Sequence, residues 1–168
     1  MMGTSEQTTF EVGAWMVYPS HGVGRLDRID KIDIDGTVVE FFVISFRKTK
    51  LELKLPVKRA IEAGLRRVVS KEDMEKALGA LVQKTKKRRL MWSKRAQEYE
   101  TKINSGDPVA IAEVIRELYK GAGDAAQSFS ERQIYQGALE RLAREVSVVD
   151  EIGEDDAIRK LESILQAA

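Results

Sequence analysis

VVEFFVISFRKTKLELKLP, residues 38–56, sets two apolar runs on either side of a polar, largely basic RKTK and ends the second with a proline. The first run, VVEFFVISF (38–46), is dense in β-branched and aromatic residues and is the strongest strand signal in the chain. In the second, Leu51, Leu53 and Leu55 alternate with Glu52 and Lys54, the pattern of a strand wet on one face. Pro56 stops it, because proline cannot donate to a strand ladder. Upstream, DIDG (33–36) is turn chemistry. GRLDRIDKI (24–32) alternates apolar and charged residues, but Leu26, Ile29 and Ile32 are only partly in phase, which predicts a bulge. VGAWMVY (12–18) adds another β-rich run. Strand-like patterning up to Val69 predicts four or five short strands in a small, strongly bent sheet or barrel with open edges.

From Ser70 the period becomes helical. Ser70 and Asp73 make a capping start, and Met74, Ala77, Leu78, Leu81 and Val82 share one face. The next helix carries RRLMWSKRAQEYETKI and stops at Ser105-Gly106. Asp107 caps another, with Pro108 in its first turn and Ile111, Ala112, Ile115, Leu118 and Tyr119 as its face. GAGD (121–124) is a loop. A helix from about Ser130 carries the stripe Ile134, Tyr135, Ala138, Leu139, Leu142, Ala143 and Val146, and Gly153 separates it from a last one. The expected class is α+β: a small β barrel over residues 1–69, then a bundle of about five helices over 70–168.

The chain has 168 residues, enough for one ordinary domain or two small ones. Its net charge of +1 hides a segregation: residues 84–95 hold seven Lys/Arg and no acid, whereas 145–156 hold six Asp/Glu and no base. For the acidic stretch the sequence suggests solvation and pairing with basic helices. With no cysteine, disulfides, Cys-based zinc sites and thiol catalysis are excluded. The N-terminus shows no secretory pattern and no apolar run approaches a bilayer span, so the chain reads as cytosolic.

No catalytic constellation assembles. The one histidine, His21, sits in the glycine-rich YPSHGVG (18–24) and reads as structural or exposed. GVG is not a dinucleotide fingerprint. Asp33 and Asp35 read as turn residues rather than metal ligands. The expectation is a non-enzyme without metal, cofactor or small-molecule substrate.

Trp92 lies in RRLMWSKR (88–95), and two readings compete. On a helix, Trp92, Ala96, Tyr99 and Ile103 share one face, which makes the indole the last core residue of an amphipathic stripe. Yet the stripe runs out at Trp92, and Lys86, Lys87, Arg88, Arg89, Lys94 and Arg95 put cations on both sides of it. Cations that neutralise phosphates beside a ring that can stack or insert suit a nucleic acid. Leu90 and Met91 would add apolar contact. In the β half, Arg47, Lys48, Lys50 and Lys54 dress a strand edge that either docks another sheet or is guarded by those charges.

The whole pattern resembles the CarD/CdnL family of bacterial transcription regulators. The resemblance rests on VYPSHGVG (17–24), LELKLPV (51–57), GLRRVVS (64–70), RRLMWSKRAQEYETKINSGDP (88–108) and IAEVIRELY (111–119), in that order. It implies an N-terminal Tudor-like barrel, similar to the polymerase-interacting domain of the transcription-repair coupling factor, that binds the RNA polymerase β subunit. It also implies that the C-terminal helices contact promoter DNA just upstream of the −10 element. Trp92 matches the family tryptophan that enters the minor groove at the edge of the bubble. Lys94 and Arg95 match the basic pair after it, and Arg132 matches a basic position at a later helix start. Val43, Lys54 and Pro56 fall on the polymerase-facing strands. Lys54, Ile32 and Gln97 stand where some relatives carry Arg, Arg and Lys, which alters individual contacts. The expected protein is monomeric, stabilises the promoter open complex and reaches the nucleoid through polymerase. The rival expectations are an RNA- or ribosome-associated barrel protein and a protein adaptor with Trp92 in its core.

Overall fold

In the computed structural model, which describes residues 10–47, 49–84, 90–119 and 127–168, DIDG closes a two-residue hairpin between β2 (Gly22–Ile34) and β3 (Thr37–Phe46). Asp35 and Gly36 have φ of 49° and 83°, a turn whose twist matches that of the flanking strands. The Asp33 carboxylate accepts the Gly36 N–H at 2.9 Å. With β1 (Trp15–Tyr18), β4 (Glu52–Pro56) and β5 (Arg66–Arg67), the hairpin builds an antiparallel sheet in the order β4-β3-β2-β1-β5.

The bulge lies between Leu26, opposite Ile44, and Arg28, opposite Val43. One extra residue reverses the alternation. Leu26 and Ile29 therefore both reach the core, while Arg28 and Asp30 share the other face with Val43 and Phe41. That core joins Met16, Leu26, Phe42, Ile44, Phe46 and Leu55 to Ala60 and Leu65. Gly24 is required there: a Cβ would stand 2.8 Å from both Ile44 and Phe46.

Residues 57–62 depart from the strand-like expectation. They form a short helix, α1 (Val57–Glu62), directly after Pro56, whose φ of −57° suits a helix entry, and Ala60 plugs into the sheet's core. His21 lies 5.5 Å from the Tyr18 ring and 5.3 Å from the Phe46 ring, a structural stacking role.

The chain divides between Val68 and Val69 into two units, each with its own core. The second holds α2 (Lys71–Leu78), a 3-10 turn (Gly79–Val82), α3 (Trp92–Asn104), α4 (Pro108–Leu118), α5 (Phe129–Asp150) and α6 (Glu154–Ala167). The capping signals work as read: Ser70 accepts from the Asp73 N–H, and Asp107 from Val109. At α5 the cap is Ser128, which forms a reciprocal capping box with Glu131. The face expected to run through Val82 ends early, since the chain tightens at Gly79 and leaves Val82 exposed. Carboxylates of the acidic stretch are structural. Buried Glu145 accepts the Val69 N–H at 2.9 Å, and Asp150 pairs with Lys160 at 2.5 Å. Glu154 reaches Arg144 at 3.8 Å.

Candidate nucleic-acid interface

α3 begins at Trp92 itself, with Met91 before it in extended backbone and no side-chain cap. Leu90 and Met91, 42% and 71% exposed, stay outside the helix that the sequence extends through them; they have no core to reward ordering. Lys86, Lys87, Arg88 and Arg89 lie outside the described residues. The first turn of α3 contains no acid. With no side-chain cap, the positive end of the helix dipole therefore adds to the charge of Lys94 and Arg95.

Trp92 is half-buried at the margin of the helical core. Its ring centroid is 6.3 Å from that of Tyr99, which is only 1% exposed. The Arg95 guanidinium sits 5.5 Å from the Trp92 ring and 5.6 Å from the Tyr99 ring. It donates to the Tyr99 hydroxyl through Nη2 at 2.9 Å and Nε at 3.3 Å. Burial, together with a hydrogen bond to Glu117, pushes the Tyr99 phenol up from its ordinary value, against the pull of Arg95. Arg95 is thus a clamp that joins the indole to a buried anchor, as well as a cation. One side of the Trp92 ring rests on the core, and the residue keeps a solvent-facing portion.

Helix connections bring further residues to the same end of this unit. The Tyr99–Glu117 bond ties the middle of α3, two turns after Trp92, to the last turn of α4, so the two helices run antiparallel. From there the Leu118 carbonyl accepts from the Gln127 side chain, and Tyr119 meets Tyr135 with ring centroids 6.4 Å apart. Arg116 donates to the Gln83 carbonyl at 2.9 Å, so the chain enters the 84–91 segment from this end as well. The starts of α3 and α5 therefore share one end of the bundle. Lys94, on the first turn of α3, and Arg132, on the first turn of α5, are both exposed there. Sequence reading missed the roles of Tyr99 and Glu117. The i, i+4 spacing of Arg95 and Tyr99 carried a signal, but the contact with α4 is long-range.

In the other unit, the proposed polymerase residues lie on the outer face of the sheet. Val43 is fully buried, standing between Arg28 on β2 and Lys54 on β4 in the cross-strand row. The stems of these long neighbours flank its small side chain, so it supports this surface without presenting itself. Lys54 lies 3.2 Å from Asp30 and 5.7 Å from the Phe41 ring. Arg28 reaches Asp30 at 3.1 Å and Glu52 at 3.7 Å. The Lys54 bond, aided by Arg28, holds the Asp30 carboxyl below its ordinary value despite some desolvation. Pro56 is half-buried opposite Phe41. β4 is an edge strand, and Arg47 covers the other tryptophan, Trp15, 4.4 Å above its ring.

Among the described residues, no group of His, Cys, Asp or Glu is arranged to hold a metal, and no helix is long and apolar enough to cross a membrane. Residues 76–162 match the CarD C-terminal domain, and residues 10–69 match the CarD-like/TRCF RID domain. The chain belongs to the CarD family. The two CarD matches fall on the two units of the structure, and the RID match makes the β unit Tudor-like. A relative from Bacillus subtilis (strain 168), described as "Putative transcription factor YdeB", is 25% identical over 145 residues, which span 86% of this chain and 95% of that protein.

Proposed function

We propose that this CarD-family protein is a transcription regulator that bridges RNA polymerase and promoter DNA. The β unit binds the polymerase β subunit through the outer face and edge around Lys54 and Pro56. The Trp92 end of the helical unit contacts the duplex at the upstream edge of the −10 element. The observation that carries this reading is the clamped indole: a half-buried tryptophan at an acid-free helix start, stacked by Arg95, beside exposed Lys94.

The geometry suits a distorted duplex. Lys94 and Arg132, with the basic segment 86–89, neutralise phosphates without reading sequence. The exposed part of the indole, with Met91 beside it, can enter a widened or unstacked minor-groove step, where unstacking costs a few kcal/mol in intact DNA. A site that meets DNA already opened avoids that cost and so favours the open state. A preference of about 1.4 kcal/mol moves the opening equilibrium tenfold. Holding the ring against Tyr99 and Arg95 beforehand reduces the ordering cost on contact.

Fluorescence of Trp92 in a Trp15→Phe background tests this directly. Polymerase bound to forked promoter DNA is expected to quench or shift the emission more than polymerase on closed duplex. Equal spectra in the two complexes would remove the indole from the DNA contact.

A further inference from the structure

Phe129 is the most exposed large apolar side chain among the described residues, at 73%, yet it occupies the first position of α5, a well-capped helix. Folding gives little reason for a phenyl ring there: the Ser128–Glu131 capping box fixes the helix start without it, and Phe129 is not among the residues packed in the helical core. Its placement is specific. The start of α5 lies at the end of the bundle that carries Trp92, through Tyr99–Glu117 and Leu118–Gln127, and exposed Arg132 follows one turn later.

We propose that Phe129 is a second aromatic contact to promoter DNA, engaging the sugar and base edges about three base steps from the one Trp92 occupies. This rests on the proposed DNA contact of Trp92 and extends it. α3 and α5 pack on one another, and packed helices lie about 8–10 Å apart, so their first turns can reach sites about three base steps apart along one groove. The two starts differ in chemistry. α3 offers uncapped N–H groups and no acid, suited to a phosphate. In α5 the Glu131 N–H is taken by the Ser128 hydroxyl and the Glu131 carboxylate stands at the helix start, which disfavours a phosphate there, so α5 suits the apolar part of the nucleotide while Arg132, a turn later, supplies the phosphate contact.

The test uses the full chain with RNA polymerase on a linear promoter, reading the lifetime of the competitor-resistant open complex. Phe129→Ala should shorten it at least about fivefold, and Phe129→Trp should restore most of the loss. Val109→Ala, at an exposed apolar position at the opposite end of the bundle, should leave it unchanged. A photo-crosslinking phenylalanine analogue at 129 should label promoter DNA. An unchanged lifetime in Phe129→Ala, with Trp92→Ala still defective, would overturn the role of Phe129 and leave that of Trp92 standing. Labelling of a polymerase subunit instead of DNA would overturn the assigned partner. If Trp92→Ala and Phe129→Ala both behave as wild type, the underlying DNA contact itself fails.

Discussion

On the proposed DNA contact of Trp92, Tyr99 is a single residue that joins folding to function. Its hydroxyl accepts from Arg95 and meets Glu117 while its ring supports Trp92. Tyr99→Phe keeps the ring and removes the polar junction, so it should cost roughly 1–3 kcal/mol in urea unfolding, as expected for bonds to charged partners. It should also weaken promoter binding although Trp92 is intact; full binding with a free Arg95 would show that the clamp is unnecessary. Titration gives a second readout. Burial, with Glu162 and Tyr119 adding to it, pushes the Tyr135 phenol up from 10.0 to about 12, and Tyr99 shifts the same way. Both phenols stay protonated longer in the folded state than in the unfolded one. The stability they contribute is therefore fully present below pH 10 and lost as pH rises toward 12. Urea midpoints should fall across that window and fall less in Tyr135→Phe; equal slopes would contradict the burial of this phenol. At this scale the sequence revealed Trp92 and its cations through their spacing. It did not reveal Glu117, which comes from a later helix, or that Val43 lies sealed among longer neighbours.

Elements were legible where a local signal fixes them. The hairpin turn, the bulge after Leu26, the caps at Ser70 and Asp107 and the stop at Ser105-Gly106 all follow from residues within a few positions. α1 was not legible, because six residues after a proline make too short a stripe and depend on Ala60 finding the sheet. The start of α3 was misplaced for a related reason, since Leu90 and Met91 resemble core residues but stay exposed and outside the helical core. Gly24→Ala probes the sheet: its Cβ would collide with Ile44 and Phe46, so unfolding should become easier by about 1–3 kcal/mol. Lys54→Glu probes the outer face. It would set a third carboxylate beside Asp30 and Glu52, and pull-down of the polymerase β subunit should be lost while the β unit's circular dichroism persists. Retained pull-down would move the docking surface elsewhere.

At the scale of the molecule, the proposed bridge assigns one partner to each of two separately cored units. Neither contact needs to be tight alone, because a tethered module meets its site at high effective concentration. The intact protein should therefore bind free forked DNA weakly, with an affinity that falls steeply as salt rises in filter-binding or anisotropy assays. Tight, salt-insensitive binding would point to direct base readout instead. The most direct measurement is the lifetime of the polymerase–promoter open complex after competitor challenge, with wild-type protein and with Trp92→Ala. The bridge predicts a lifetime at least about fivefold shorter for Trp92→Ala, with co-purification of polymerase unchanged. Equal lifetimes with polymerase binding retained would contradict it.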